Sequence, residues 1–200
     1  MNALATVGPM VAVAEPAVHR WTRAEYDALV LAGAFENTRV ELLEGQIVDM
    51  APTSNRHWYT VTRLHNLLTL SLDRARFVVG SQGPFALNDY SEPEPDVVVM
   101  RSSPDLGRHD HATPSDLVLV VEVSYSSWRY DSGAKLSAYA RGGLPEVWLV
   151  DLNRDLVHVC RRPIDESYTE RFTVEVSGTL VVPEADVAIA VADFFITDPS

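Results

Sequence analysis

Leu117-Val118-Leu119-Val120-Val121-Glu122-Val123 is a nearly continuous apolar run that holds one carboxylate close to its end. Such a run predicts a strand covered on both faces of a sheet. A buried strand normally excludes a charged side chain, because an unpaired charge is costly to remove from water. Glu122 is therefore either paired with an arginine such as Arg129 or Arg141, or part of a chemical site.

A second acid opens another predicted strand. Pro95-Asp96 leads into Val97-Val98-Val99-Met100, and we expect a strand over residues 96–101. Neighbouring strands lie about 4.8 Å apart, so acids at matched positions of two such strands can share an ion. The alternative is that Asp96, after its proline, only fixes a turn.

A single lysine follows these acids along the chain. Lys135, the sole lysine, lies in a helix predicted over residues 131–139, which can fold back towards the end of the Glu122 strand. Asp131 precedes it by one turn and is expected to support the lysine or to cap the helix. Hydrolysis of a phosphodiester needs a metal ion, an activated water and a nearby cation. Asp96 and Glu122 supply the oxygen ligands that Mg²⁺ or Mn²⁺ prefers, and Lys135 supplies the cation. If Lys135 is not part of such a site, we expect it to be a solvated helix residue.

The remaining pattern predicts an α/β (α+β) domain with a mixed sheet flanked by helices. Thr22 and Glu25 form a capping box for a short first helix. A hairpin with a turn at Glu44-Gly45 follows, and residues 55–72 have helical apolar spacing. Further short strands are predicted over these segments: 77–79, 85–87, 146–151, 156–160, 172–176 and 187–191.

Composition limits the class of protein. The chain has 200 residues, 46% of them hydrophobic, with a formal net charge of −12. We expect residues 1–18 to be a disordered leader and residues 19–197 to form one domain without a membrane span. A lone cysteine, Cys160, favours a reducing cytoplasm. The acidity argues against tight, non-specific wrapping of duplex DNA by the monomer.

Several of these segments together resemble the Uma-two family of restriction endonucleases, within the PD-(D/E)XK nuclease superfamily. The resemblance covers roughly residues 20 to 162, and five segments carry it. They are Val40-Glu41-Leu42-Leu43-Glu44-Gly45-Gln46-Ile47-Val48, Pro95-Asp96, Glu122-Val123-Ser124, Lys135-Leu136-Ser137-Ala138-Tyr139 and Gly143-Leu144-Pro145-Glu146-Val147-Trp148-Leu149-Val150-Asp151. The resemblance implies a restriction-endonuclease-like fold with an N-terminal hairpin and a metal-dependent endonuclease acting on nucleic acid, most simply DNA.

The resemblance also assigns residues, with one departure. The usual pattern has a lysine two residues after the glutamate, where this chain has Ser124, so the resemblance implies a migrated lysine at Lys135. It further implies that the backbone carbonyl of Val123 is a metal ligand. Glu41 is a candidate additional acid, although a hairpin acid more often faces solvent. His57 is a candidate at the metal or in proton transfer, although a helix histidine is more often structural.

Two other expectations concern function. His109, Asp110 and His111 mimic a metal cluster, but their polar loop favours a solvated role. A homodimer is expected, with Phe194-Phe195 and the last strands as its interface. The alternative to a nuclease is an inactive domain that serves as a binding or assembly module, with Lys135 in solvent.

Overall fold

A six-stranded mixed sheet forms the centre of the computed structural model, which describes residues 17–108 and 111–195. Its strand order is β3-β4-β5-β6-β7-β8, and every neighbouring pair is antiparallel except β5–β6, which is parallel. Two separate antiparallel hairpins, β1–β2 and β9–β10, flank it. The strands are β1 (Val40–Leu43), β2 (Gln46–Asp49), β3 (Phe77–Ser81), β4 (Val97–Arg101), β5 (Leu117–Ser124), β6 (Glu146–Asp151), β7 (Leu156–Ile164), β8 (Ser167–Glu175), β9 (Thr179–Val182) and β10 (Val187–Ala190).

Helices cover the two faces of this sheet. They are α1 (Arg23–Leu31), α2 (Asn55–Ser71), α3 (Trp128–Tyr130), a π-helical turn (Asp131–Lys135), α4 (Leu136–Arg141) and a final 3₁₀ turn (Val191–Phe194). The α/β class and the mixed sheet expected from the sequence are confirmed. No helix of residues 17–108 or 111–195 has both the length and the apolar character needed to cross a membrane.

Local signals explain why the first elements form where they do. Thr22 and Glu25 form the predicted capping box at the start of α1. Glu44 and Gly45 both have positive φ, at 54° and 78°, as the tight turn between β1 and β2 requires. Ser54 accepts a hydrogen bond from the backbone of His57 and so fixes the first turn of α2.

The core divides into two apolar clusters, one on each face of the sheet. α2 and the β9–β10 hairpin cover one face, and α4 with part of β1 covers the other. Successive side chains of a strand point to opposite faces, which decides where each acid lies. Val121 and Val123 pack into the first cluster and Val120 into the second, so Glu122 lies on the α4 face.

Three predictions about local structure are corrected, and one strand was missed. Residues 85–87 do not form a strand, because Phe85 and Leu87 donate to residues 91–93 whereas Ala86 donates to Ala112, so no single partner strand pairs with the segment. The helix predicted over 131–139 begins earlier, at Trp128, and has a π turn inside it. β4 begins at Val97, since Asp96 lies in a bend. β9 was not predicted.

The suggestion that Phe194 and Phe195 form part of a dimer interface is also wrong. Phe194 and Phe195 are 0% and 4% exposed, and both pack into the core that α2 covers. The expected leader lies almost entirely outside the described residues, as do His109 and Asp110.

Candidate active site

Asp96 and Glu122 face each other across two neighbouring strands. β4 and β5 are antiparallel with Val97 opposite Val121, so the same register places Asp96 opposite Glu122. Asp96 Oδ2 accepts a hydrogen bond of 2.9 Å from the backbone N–H of Val123. This bond fixes the Asp96 carboxylate against the end of β5. Both acids line one cavity of about 320 Å³.

Lys135 completes the group that the sequence predicted. Its Nζ lies 3.1 Å from Glu122 Oε1 and 3.1 Å from Glu41 Oε2. All three side chains are nearly inaccessible to solvent, at 2–3% exposure. Burial alone would lower the pKa of Lys135, but Glu122 and Glu41 raise it well above the usual value. The two glutamates therefore favour the charged ammonium form of this amine.

A π-helical turn brings Lys135 to this position. The turn spans Asp131–Lys135 and contains Gly133. π turns are rare, and they occur frequently at functional sites. Asp131 and Lys135 are both buried and both line the cavity, so the turn delivers an acid and a base to the same site.

Glu41 is buried rather than solvent-facing. Its Oε1 accepts a hydrogen bond from the Tyr130 hydroxyl at 2.9 Å, and its Oε2 accepts one from the backbone N–H of Glu94 at 2.9 Å. Together with Lys135, these partners satisfy the Glu41 carboxylate. Glu41 thus links the β1–β2 hairpin to the lysine.

His57 lies at the other end of the cavity. Its Nε2 is 3.0 Å from Asp96 Oδ2, and its Nδ1 is buried without a hydrogen-bond partner among the described residues. Burial opposes the charged form of His57, but the hydrogen bond and the charge of Asp96 together raise the pKa above its usual value. His57 and the backbone of Val123 therefore hold the same oxygen of Asp96.

Glu122 has the most perturbed carboxylate of the group. Burial raises its pKa to about 8, and the nearby Lys135 opposes this rise. The Tyr139 hydroxyl donates a 2.5 Å hydrogen bond to Glu122 Oε1, the same oxygen that faces Lys135. Arg141, suggested as a partner for Glu122, instead pairs with Glu44 and Glu166.

Two residues of the site were not singled out as site residues from the sequence. Asp131 is 6% exposed, and its Oδ2 accepts hydrogen bonds from Ser124 Oγ at 2.7 Å and Ser127 Oγ at 2.5 Å. Asp131 thus binds the serine that stands in the usual lysine position, rather than pairing with Lys135 as the i,i+4 spacing suggested. Arg39 lines the cavity and pairs with Glu94 at 2.9 Å. Neither Asp131 nor Arg39 belongs to a sequence motif that predicts a functional role.

His111 departs from the solvated role expected of it. Its side chain is 23% exposed, and its Nε2 lies 3.6 Å from Glu92 Oε1. This contact lies away from the cavity that Asp96 and Glu122 line.

Comparison with known proteins agrees with this architecture. A putative nuclease of DUF820 from Anabaena variabilis ATCC 29413, known from a crystal structure, is similar with a TM-score of 0.68 at 15% sequence identity. The match covers 87% of this chain and 97% of that one, which establishes a shared fold. No curated protein matches the chain. The family model Uma2, described as "Putative restriction endonuclease", matches residues 23–192. Since that model spans most of the sequence, the chain belongs to the Uma2 family.

Proposed function

We propose that this protein is a metal-dependent endonuclease that hydrolyses phosphodiester bonds of nucleic acid, with Asp96, Glu122 and Lys135 as its catalytic residues. One observation supports this most strongly. Asp96, directly before β4, and Glu122, on the neighbouring strand β5, line one cavity that opens to solvent beside the buried amine of Lys135. The family description and the name of the similar structure point to the same class of activity.

The oxygens that remain available fit a hard divalent cation. Within the described residues, the hydrogen bonds and the ion pair of Asp96 and Glu122 involve Oδ2 of the first and Oε1 of the second. Asp96 Oδ1 and Glu122 Oε2 are left to bind an ion, and the carbonyl of Val123 is the proposed third ligand. A bound Mg²⁺ or Mn²⁺ supplies Lewis acidity and lowers the pKa of a coordinated water.

The chain's own side chains perform the remaining tasks. Lys135 holds a positive charge where negative charge develops on the scissile phosphate, which lowers the barrier electrostatically. Glu41 holds the lysine in place from the hairpin side, and Tyr139 fixes the Glu122 carboxylate. His57 positions Asp96, so its effect on catalysis passes through that carboxylate.

DNA is the proposed substrate and a homodimer the proposed assembly, since two copies can cut two strands. The substrate approaches over Arg39 and Tyr125, which line the cavity and are exposed at its rim. A guanidinium group suits phosphate contact and an exposed ring suits base stacking. We also propose a cytoplasmic location, because Cys160 is an unpaired buried thiol.

Cleavage assays on the purified protein test the proposal. We expect Mg²⁺ or Mn²⁺ to support cleavage of plasmid DNA, and chelation to stop it. Asp96→Ala and Glu122→Ala are expected to abolish cleavage while circular dichroism remains that of the wild type. Glu146→Gln is the matched control, since Glu146 is a buried strand acid that pairs with Arg161 outside the cavity.

The outcome separates a nuclease from an inactive binding module. Cleavage that persists in both alanine variants rejects the assignment of the site. A wild-type protein that takes up no Mg²⁺ at Asp96 and Glu122 and cleaves neither DNA nor RNA rejects the enzyme assignment and leaves the inactive binding or assembly module. The module alternative also expects Lys135 in solvent, whereas its side chain is 3% exposed.

A further inference from the structure

A second group of potential ligands lies outside the active-site cavity. Asp27 on α1, Glu92 in the segment before β4 and His111 in the loop before β5 each offer one ligand atom, and these atoms lie within 4.8 Å of one another. The three residues come from distant parts of the chain. Their proximity is therefore a product of the tertiary fold rather than of local sequence.

Glu92 makes this group unusual. It is 4% exposed, and its Oε2 is buried without a hydrogen-bond partner among residues 17–108 and 111–195. Its Oε1 lies 3.6 Å from His111 Nε2, which is too long for a good hydrogen bond. Buried carboxylates are normally hydrogen-bonded, because burying an unsatisfied polar group is costly. Glu92 therefore lacks the partners that its position demands.

Arg23 on α1 lies close enough to Glu92 to interact with its charge, but it does not satisfy the carboxylate. The Nε of Arg23 is itself buried without a hydrogen-bond partner in the described part of the chain.

The spacing of the group suits a metal ion. With metal–ligand bonds of about 2.1 Å, two ligands of a tetrahedral ion lie about 3.4 Å apart. The separation of 3.6 Å between His111 Nε2 and Glu92 Oε1 is close to this value. One imidazole and two carboxylates are donors that suit Zn²⁺ better than Mg²⁺.

We propose that Asp27, Glu92 and His111 form a binding site for a divalent transition metal of the zinc class, with water as the fourth ligand. The backbone N–H of Glu92 donates to Leu42 O at 2.8 Å, directly beside Glu41 in β1. The ion thus joins α1 and the loop before β5 to the strand that carries Glu41. This site shares no residue with the proposed catalytic group.

Calorimetric titration with Zn²⁺ tests the site in the full chain. Saturating Mg²⁺ in the buffer occupies the oxygen-rich active site, so that Zn²⁺ reports on the second group. We expect one Zn²⁺ per chain. His111→Ala and Asp27→Asn are expected to weaken binding at least about 100-fold, because outer-shell changes alone cost about 10–100-fold. His65→Ala is the matched control, a half-buried histidine on α2 that should leave affinity unchanged.

A spectroscopic measurement keeps the test independent of how the variants fold. Co²⁺ bound to the wild-type protein with three such ligands and water is expected to give the intense visible bands of a four-coordinate ion. A wild-type chain that binds neither Zn²⁺ nor Co²⁺ in saturating Mg²⁺ overturns the proposal. Equal Zn²⁺ affinity in the wild type and in a folded His111→Ala variant overturns it as well.

Discussion

Replacing Lys135 with methionine removes the ammonium group and keeps most of the length of the side chain. In the wild type that group lies 3.1 Å from one oxygen each of Glu41 and Glu122, and all three side chains are almost fully buried. The variant therefore leaves two buried carboxylates close together without their shared cation. Each of them is then costly to ionise.

The expected loss of stability follows from this geometry. Breaking a buried ion pair by removing one partner costs about 3–5 kcal/mol of unfolding free energy. For a chain of this size, this corresponds to a fall in Tm of about 6–20 °C.

The loss of stability should depend on pH. Without Lys135 the folded-state pKa of Glu122 rises further, so the folded variant binds more protons than the unfolded chain over a wider range. The unfolding free energy that the variant loses relative to the wild type therefore grows as pH rises and shrinks as pH falls.

Urea unfolding followed by tryptophan fluorescence at pH 5 and pH 8 measures this deficit. Arg141→Met is the matched control, since Arg141 also pairs with two carboxylates but is 38% exposed on α4. An exposed pair contributes at most about 1 kcal/mol, and its loss should be nearly independent of pH in this range. Lys135→Met should also abolish cleavage. A Lys135 variant that loses no more stability than the Arg141 variant would refute the buried triad.

Three further predictions concern residues in or next to the cavity that Asp96 and Glu122 line. The folded-state pKa of Glu122 is raised, so its contribution to stability falls by up to about 1.4 kcal/mol per pH unit between pH 4.5 and about 8. Glu122→Gln should flatten this part of the stability profile, and an unchanged slope contradicts the raised pKa. Tyr139→Phe should cost about 1.5–3 kcal/mol in urea unfolding, because it removes a hydrogen bond to a buried carboxylate. Tyr168→Phe, which loses a bond to a backbone carbonyl, should cost about 1 kcal/mol, and equal losses contradict a special role for Tyr139. His57→Ala should weaken Mg²⁺ binding about 10–100-fold in calorimetry, whereas His65→Ala on the same helix should not.

The central strands were predictable because their signals are local and strong. β5 and β6 consist mainly of apolar residues, and a buried strand is the simplest structure for each. The segment at residues 85–87 was not predictable in the same way. It has the composition of a strand, but its backbone partners lie in two other segments, and no pattern within the segment itself encodes them.

The candidate site was predictable only in part, for a related reason. Glu122 interrupts an apolar strand and Asp96 directly precedes one, so the cost of burying a charge marks them in the sequence. Asp131 follows a polar stretch and Glu41 lies in a hairpin strand, and an acid at either position is ordinarily expected to face solvent. Their burial depends on the π turn and on the packing of the hairpin against it, both of which are tertiary features.

The displaced lysine has a structural consequence for the whole site. In the usual pattern the lysine follows the glutamate on the same strand, and the pleat of the sheet alone fixes its distance. Here Ser124 occupies that position and binds Asp131, at the start of the π turn that delivers Lys135. A lysine held by a helical turn needs a second anchor to remain beside the strand, and Glu41 on the hairpin provides it. The β1–β2 hairpin is therefore part of the proposed active site rather than a peripheral addition to the sheet. It follows that Glu41→Gln should impair cleavage although Glu41 touches no proposed metal ligand except through Lys135. The measurement is the rate of plasmid cleavage at saturating Mg²⁺, and an undiminished rate contradicts the anchoring role.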